Sequence, residues 1–157
     1  MPTLVRLATR QDLPAIAPLA AALVRLHHAF DAKRFFLVEN LEAGYERFLA
    51  GELADPDARV TVAERDGQIV GYAYGGLLER DWNALLDACG AVHDIFVAEA
   101  ARGEGVARLL MEDMLARLRE MGAPRVVLSA AWPNETAQAL FEKLGFRRTM
   151  VEMTKEL

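Results

Sequence analysis

With one cysteine in 157 residues, Cys89, the chain cannot form an internal disulfide, and at this length it needs none to bury a core. A lone thiol fits a reducing, cytoplasmic setting, and reads as a small half-buried apolar side chain rather than a nucleophile. A positive charge balance is also missing. The 18 Lys and Arg stand against 23 Asp and Glu, for a net charge of −5. That argues against a general nucleic-acid binder, which needs a basic face, and is mildly compatible with a cationic substrate such as an amine. No apolar run approaches the roughly 20 residues of a membrane span, so no membrane association is expected. No basic start leads into an apolar block and a small-residue cleavage site, so no secretory signal is expected either. Internal repeats, low-complexity tracts and Pro/Gly/Ser linkers are absent, and residues 1–157 read as one domain. No metal is expected.

What is present is an alternation of short strands and amphipathic helices. Thr3 to Ala8 reads as a strand. Asp12 is placed to cap a helix with Pro14 in its first turn, and Leu13, Ile16, Ala17, Ala20, Leu23 and Val24 recur at helical spacing. An aromatic loop with Phe30, Phe35 and Phe36 leads to a second helix after Asn40, with Leu41, Tyr45, Phe48 and Leu49 on one face. Arg59 to Glu64 and Gln68 to Leu78 are strand-like runs joined by Asp66-Gly67, a two-residue hairpin signal. Gly75-Gly76 marks a bulge or a close approach of another backbone. Asp81 to Gly90 reads as a short helix or loop, and Ala91 to Val97 as a strand. Ala107, Leu110, Met111, Met114, Leu115 and Leu118 form a helical stripe, stopped near Gly122 and Pro124. Val126 to Ala131 is an apolar strand, Asn134 opens a last helix ended by Gly145, and Phe146 onward reads as one or two terminal strands. The order predicts a mixed α/β fold. Its hairpins should be antiparallel, and the strand–helix–strand unit from Ala91 to Ala131 should pair two strands in parallel.

Chemistry concentrates where the strand ending at Val97 turns into the helix starting near Glu104. Gly103 and Gly105 remove side chains that would hold a ligand off the backbone. The first N–H groups of the helix have no internal partner and carry the positive end of its dipole. A pyrophosphate suits that cradle, and Arg102 can add a charge-assisted contact. A dinucleotide fingerprint would need Gly or Ala where Arg108 stands, and a P-loop would need a Gly-Lys-Ser/Thr that the chain lacks. The competing reading is a plain strand-to-helix connection.

Arg102, Gly105 and Ala107 fill the specified positions of Gln/Arg-x-x-Gly-x-Gly/Ala, and the segment Asp94 to Ala107 resembles the acyl-CoA loop of the GNAT acetyltransferase superfamily. A second block, Asn134 to Phe146, is similar to that family's Asn-x-x-Ala-x-x-Leu-Tyr-x-x-x-Gly-Phe helix. The resemblance implies a mostly antiparallel central sheet with a splayed parallel strand pair and helices on both faces. It implies acetyl-CoA as co-substrate, its pyrophosphate on Arg102, Gly103, Glu104, Gly105, Val106 and Ala107. Its pantetheine arm would lie along the free edge at Ile95, Phe96 and Val97, and a backbone N–H near Phe96 or Val97 would polarise the thioester carbonyl and steady the oxyanion. Asn134 would bond the cofactor arm, cap its helix, or do both. Phe141 would line the cofactor site.

The implied reaction is transfer of acetyl to a primary amine of a small molecule or peptide, directly within a ternary complex. The amine must lose a proton before it attacks. His93, four residues before Val97, is the first candidate to take it, since a histidine changes charge near neutral pH. Strand alternation would put the neighbouring Asp94 on the opposite side of the sheet. His27 and His28 read as helix-end residues in the region that forms the substrate wall in relatives. The chain departs from the family at Phe141, where many relatives carry a tyrosine that protonates the leaving thiolate. Water, another group such as Tyr72 or Tyr74, or unassisted departure must then serve. The missing hydroxyl also leaves open a non-catalytic acyl-CoA-binding module. A homodimer is compatible with the resemblance.

Overall fold

The Asp66-Gly67 turn sets the sheet. Both residues have positive φ, 52° and 73°, which gives a two-residue turn the twist that its flanking strands need. In the computed structural model, which describes residues 2–157, this turn joins β2 (Ala58–Arg65) to β3 (Gln68–Leu78). With β1 (Leu4–Leu7), β4 (Cys89–Val97) and β5 (Val126–Val127) they form a five-stranded sheet in the order β1-β2-β3-β4-β5. The first three pairings are antiparallel and β4–β5 is parallel, so the sequence order of the strands is also their spatial order. Cys89, at the start of β4, is buried.

Helices cover both faces because strand alternation sorts the side chains. On one face Val60, Val62 and Tyr72 pack against Ile16 and Ala20 of α1 (Leu13–Phe30) and Leu49 of α2 (Leu41–Ala54). On the other, Ala63, Ala73, Val92 and Val97 meet Leu110, Met111 and Met114 of α3 (Val106–Glu120) and Phe141 of α4 (Glu135–Lys143). Each Val, Leu, Ile, Met or Phe among them contributes about 1.5–3 kcal/mol when fully buried. The 21 residues Arg10–Phe30 are by length and composition long and apolar enough to cross a membrane, which the sequence reading did not foresee. Here the apolar stripe of that helix is core, with Ile16, Ala17, Ala20 and Ala21 at most 1% exposed.

The start of α1 is held differently from the expected cap. A 3-10 turn, Arg10–Asp12, precedes the helix, and Asp12 makes no side-chain bond to the helix N–H groups. Its carboxylate instead accepts from the Thr9 N–H at 2.7 Å and from both terminal nitrogens of Arg6, at 2.8 and 2.9 Å. Arg6 also bonds Glu64 of β2, so one arginine ties β1, β2 and the entry to α1. These bonds hold the Asp12 carboxyl down at a pKa of about 2.

Gly75 and Gly76 satisfy both parts of their expectation. A Cβ on Gly75 would lie 2.5 Å from the Ala91 carbonyl oxygen, and one on Gly76 2.6 Å from that of Asp57. The β3–β4 register shifts between Tyr74 and Gly75. Three boundaries depart from expectation. Val126 to Ala131 yields a strand of two residues only. Residues 81–88 take the loop rather than the short helix, as turns with a single bridge from Asp81 to Leu86, and β4 begins at Cys89, two residues before the expected Ala91. Residues 146–157 form no strand. A strand needs an edge to pair with, and β5 offers two residues of one. The tail is exposed at Met150, Val151, Met153 and Leu157, and an Arg34–Glu152 ion pair ties it to the aromatic loop.

Candidate active site

The register shift makes the centre of the site. Tyr74 pairs with Asp94 and Gly75 with Val92, so His93 is the extra residue of a β-bulge, with no partner on β3. A bulge re-aims side chains, and the alternation rule fails at this point. The His93 ring lies against the Tyr74 ring, centroids 4.9 Å apart. Asp94 Oδ2 accepts from the Tyr72 hydroxyl at 3.0 Å. Tyr72 and Tyr74 are two apart on β3 and share the face covered by α1 and α2. His93 and Asp94 therefore lie on the same side of the sheet, which overturns the expectation of opposite sides.

The wall around them is aromatic and acidic. Phe48 of α2 stands edge-on to Tyr74 at 5.5 Å and to Tyr45 at 6.5 Å. The Tyr74 hydroxyl donates to Glu52 Oε2 at 2.6 Å. Burial raises the Asp94 carboxyl above its ordinary value, opposed by the Tyr72 hydroxyl and by the charges of His93 and His27. Burial and the nearby Asp94 push Tyr45 up to about 12. Burial raises Tyr72 as well, with Asp94 adding to it, and raises Tyr74 together with its bond to Glu52. Both phenols hold their protons at neutral pH, and both already donate to a carboxylate.

His27 and His28 are structural at one nitrogen each. His27 Nδ1 donates to the Leu23 carbonyl and His28 Nδ1 to the Phe35 carbonyl, both at 2.8 Å. A carbonyl only accepts, so each Nδ1 carries a hydrogen. The His27 ring packs edge-on to Phe30 and Phe35. The aromatic loop is thus folded onto the end of α1.

On the far edge of β4 the backbone is open. β5 pairs with β4 only at Gly90 and Ala91, and from Val92 to Val97 that edge has no strand partner. The Ala98 N–H donates to Val70 of β3 at 2.8 Å, and the Phe96 carbonyl oxygen faces Gly71 of β3. By alternation, the N–H and C=O of Ile95 and Val97 point away from β3 into the gap. Phe96 uses its backbone on β3 and is half-buried.

The gap runs into the glycine loop. Gly103 and Gly105 have φ of 77° and 82°, and a Cβ on either would meet nothing within 4 Å. Their role is the left-handed backbone that turns the chain into α3, beside open space. The Leu109 N–H bonds the Gly105 carbonyl, leaving the N–H groups of Val106, Ala107 and Arg108 as the helix's free first donors. Arg102 lies back along the strand. Its Nε donates to the Val97 carbonyl at 3.0 Å, and its guanidinium sits 5.0 Å from the Phe96 ring centroid. The Glu104 carboxylate is paired with Arg65 at the end of β2, and Arg65 also donates to Thr3. Asn134 caps α4, its Oδ1 accepting from the Ala137 N–H at 3.2 Å. Phe141 is 7% exposed and packs edge-on against Phe146 at 6.0 Å.

Tyr45, Glu52, Asp94 and Arg65 did not emerge from the sequence as parts of a site. The Gly75-Gly76 pair, opposite Val92 and Ala91, signalled a bulge or a close approach without naming the side chains it would bring together.

Residues 23–146 match the acetyltransferase (GNAT) family. An N-acetyltransferase of Escherichia coli K12, YjgM, is 30% identical over 144 residues, 90% of this chain and 80% of its own. One of Bacillus subtilis 168, YdgE, is 38% identical over 66 residues, 42% of each chain. A mycothiol acetyltransferase of Thermomonospora curvata is 35% identical over 100 residues, 63% of this chain and 31% of that one. The chain thus aligns with less than half the length of the last two. An aminoglycoside N-acetyltransferase in complex with CoA has the same fold, with a TM-score of 0.80 at 17% identity, covering 99% of this chain and 95% of that one. The splayed strand pair, the glycine loop leading into α3 and the matched span agree: the chain belongs to the GNAT acetyltransferase family.

Proposed function

We propose that this chain is an acetyl-CoA-dependent N-acetyltransferase that acetylates a primary amine by direct transfer. The observation carrying this reading is that β4 separates two surfaces. One edge has no strand partner from Val92 to Val97 and leads into the glycine loop, and the bulge in β4 presents His93 beside Asp94. In this reading the pyrophosphate lies at Arg102 to Ala107. The pantetheine arm pairs with Ile95 and Val97, packed against Phe96, with Asn134 and Phe141 beside it on α4.

The steps follow from the groups. His93 takes a proton from the substrate ammonium, directly or through water. The amine lone pair attacks the thioester carbonyl carbon, forming the C–N bond. Backbone N–H groups of the β4 edge stabilise the oxyanion. The intermediate collapses with loss of the C–S bond, the thiolate leaves, and the second proton on the nitrogen passes to water or to that thiolate. Phe141 has no proton to give it. A thiol of ordinary pKa near 8.5 leaves without an acid more readily than an alkoxide does, and water can then protonate it. Cys89 is 2% exposed, and burial raises its thiol above the ordinary value. The sole cysteine is thus a poor candidate for an acyl-enzyme, which favours direct transfer.

A second reading, an acyl-CoA-binding module without catalysis, rests on Phe141. Thiol release from acetyl-CoA across a panel of primary amines separates the two. Amine-dependent release with matching N-acetyl product supports the transferase. Acetyl-CoA binding without release from any amine supports the module.

A further inference from the structure

The aromatic wall holds a carboxylate that the reaction above does not use. Glu52 lies on α2, half-buried, with Oε2 taken by the Tyr74 hydroxyl and Oε1 bonded to nothing among the described residues. It has no basic partner, although nine ion pairs occupy other carboxylates of the chain. Tyr74 is the ruler between it and the reacting end, with its ring face on His93 and its hydroxyl on Glu52. These contacts bound the separation between the His93 ring and the Glu52 carboxylate at no more than about 10 Å. The Tyr74 ring spans the two, and Phe48, 47% exposed, stands edge-on to it. Ring faces favour a cation, and apolar walls favour a methylene chain.

We infer that Glu52 is a specificity-determining residue, and that the acceptor is a small dication whose second ammonium it holds while the first amine reacts at His93. This rests on the transferase reading above and adds the substrate class, an α,ω-diamine or an amine with a second cationic group a short alkyl chain away. The second ammonium donates to Glu52 Oε1 and lies along the Phe48 and Tyr74 rings. A monoamine of the same length leaves that carboxylate without its counter-charge.

The test compares kcat/KM for 1,4-diaminobutane and butan-1-amine in the wild type and in Glu52→Gln, with acetyl-CoA affinity and Tm of the variant as folding controls. The wild type should prefer the diamine by about tenfold or more, the value of one charge-assisted contact. Glu52→Gln should erase most of that preference by lowering the diamine's kcat/KM far more than the monoamine's. A Glu52→Asp variant, with the charge kept and withdrawn by one carbon, should retain part of it. Equal wild-type kcat/KM for both amines would overturn the inference and leave the transferase reading intact. So would equal losses on both in Glu52→Gln. Acetyl-CoA binding with no thiol release from any amine would overturn the transferase reading, and this inference with it.

Discussion

The imidazole of His93 lies 4.9 Å, centroid to centroid, from the ring of Tyr74 and tilted 37° to it, because the β4 bulge leaves His93 without a strand partner and turns it to the face of the sheet that α1 and α2 cover. The contact fixes the ring's plane while its edge stays exposed to an incoming amine. Removing it should affect chemistry rather than cofactor affinity. His93→Ala is expected to lower kcat by about 100-fold or more, the usual contribution of a positioned base. The loss should be largest at acidic to neutral pH, where the amine is protonated. Acetyl-CoA affinity by calorimetry should change little. Unchanged turnover across the pH range would remove His93 from the mechanism.

Asp94 makes a stability prediction of known sign. Burial raises its carboxyl above the ordinary 3.8, so between 3.8 and the raised value the folded state binds more protons than the unfolded one. Stability therefore falls as pH rises through that window. Asp94→Asn lacks this loss and keeps an oxygen to accept from Tyr72. The variant should melt higher than the wild type at pH 7, with the gap closing as the pH drops below the carboxylate range. Its kcat should fall if the carboxylate next to His93 takes part in the transfer. A variant less stable than the wild type at pH 7 would contradict this account of Asp94.

The opposite sign applies to Asp12. Its pKa of about 2, below the ordinary 3.8, is set first by the Arg6 hydrogen bonds. That depression is about 2 kcal/mol of stability by linkage, present above pH 4 or so and lost as the pH falls toward about 2. Asp12→Asn should lower unfolding free energy by roughly that amount at pH 7 and by little near pH 2, as read from denaturant curves. Equal losses at both pH values would show that the carboxylate's charge is not what matters there.

Arg65 holds the Glu104 side chain to the end of β2, and Glu104 sits in the loop whose backbone would meet the pyrophosphate. Arg65→Ala frees a carboxylate beside that cradle. Acetyl-CoA affinity should fall by several-fold to tenfold, about 1 kcal/mol, and Glu104→Gln in the same chain should restore most of it. No recovery in the double variant would mean that Arg65 acts on the cofactor by another route.

The elements were legible where local chemistry decides them. Asp66-Gly67 fixed one hairpin, the stripes of α1 and α3 announced their buried faces, and Asn134 and Gly145 marked the ends of the last helix. The same local rules failed where pairing decides. Alternation placed Asp94 across the sheet from His93, and only the register between β3 and β4 shows the bulge that undoes it. The apolar run from Val126 and the tail from Phe146 have strand composition, yet a strand also needs a partner edge. Glu52 meets Tyr74 across 22 residues, and Arg65 meets Glu104 across 39. No spacing rule reaches that far. The site was readable as a cofactor loop with one candidate base, and its acceptor side was not.

Titration of acetyl-CoA by calorimetry into the wild type and Gly105→Trp tests the central claim most directly. The account predicts one site per chain in the wild type, and no measurable binding once an indole fills the open space beside Gly105 while the strained left-handed backbone is burdened with a side chain. Circular dichroism of the variant should still show the helices and sheet. Binding of equal strength in a folded Gly105→Trp would contradict the assignment of the loop, and with it the reading of the cleft.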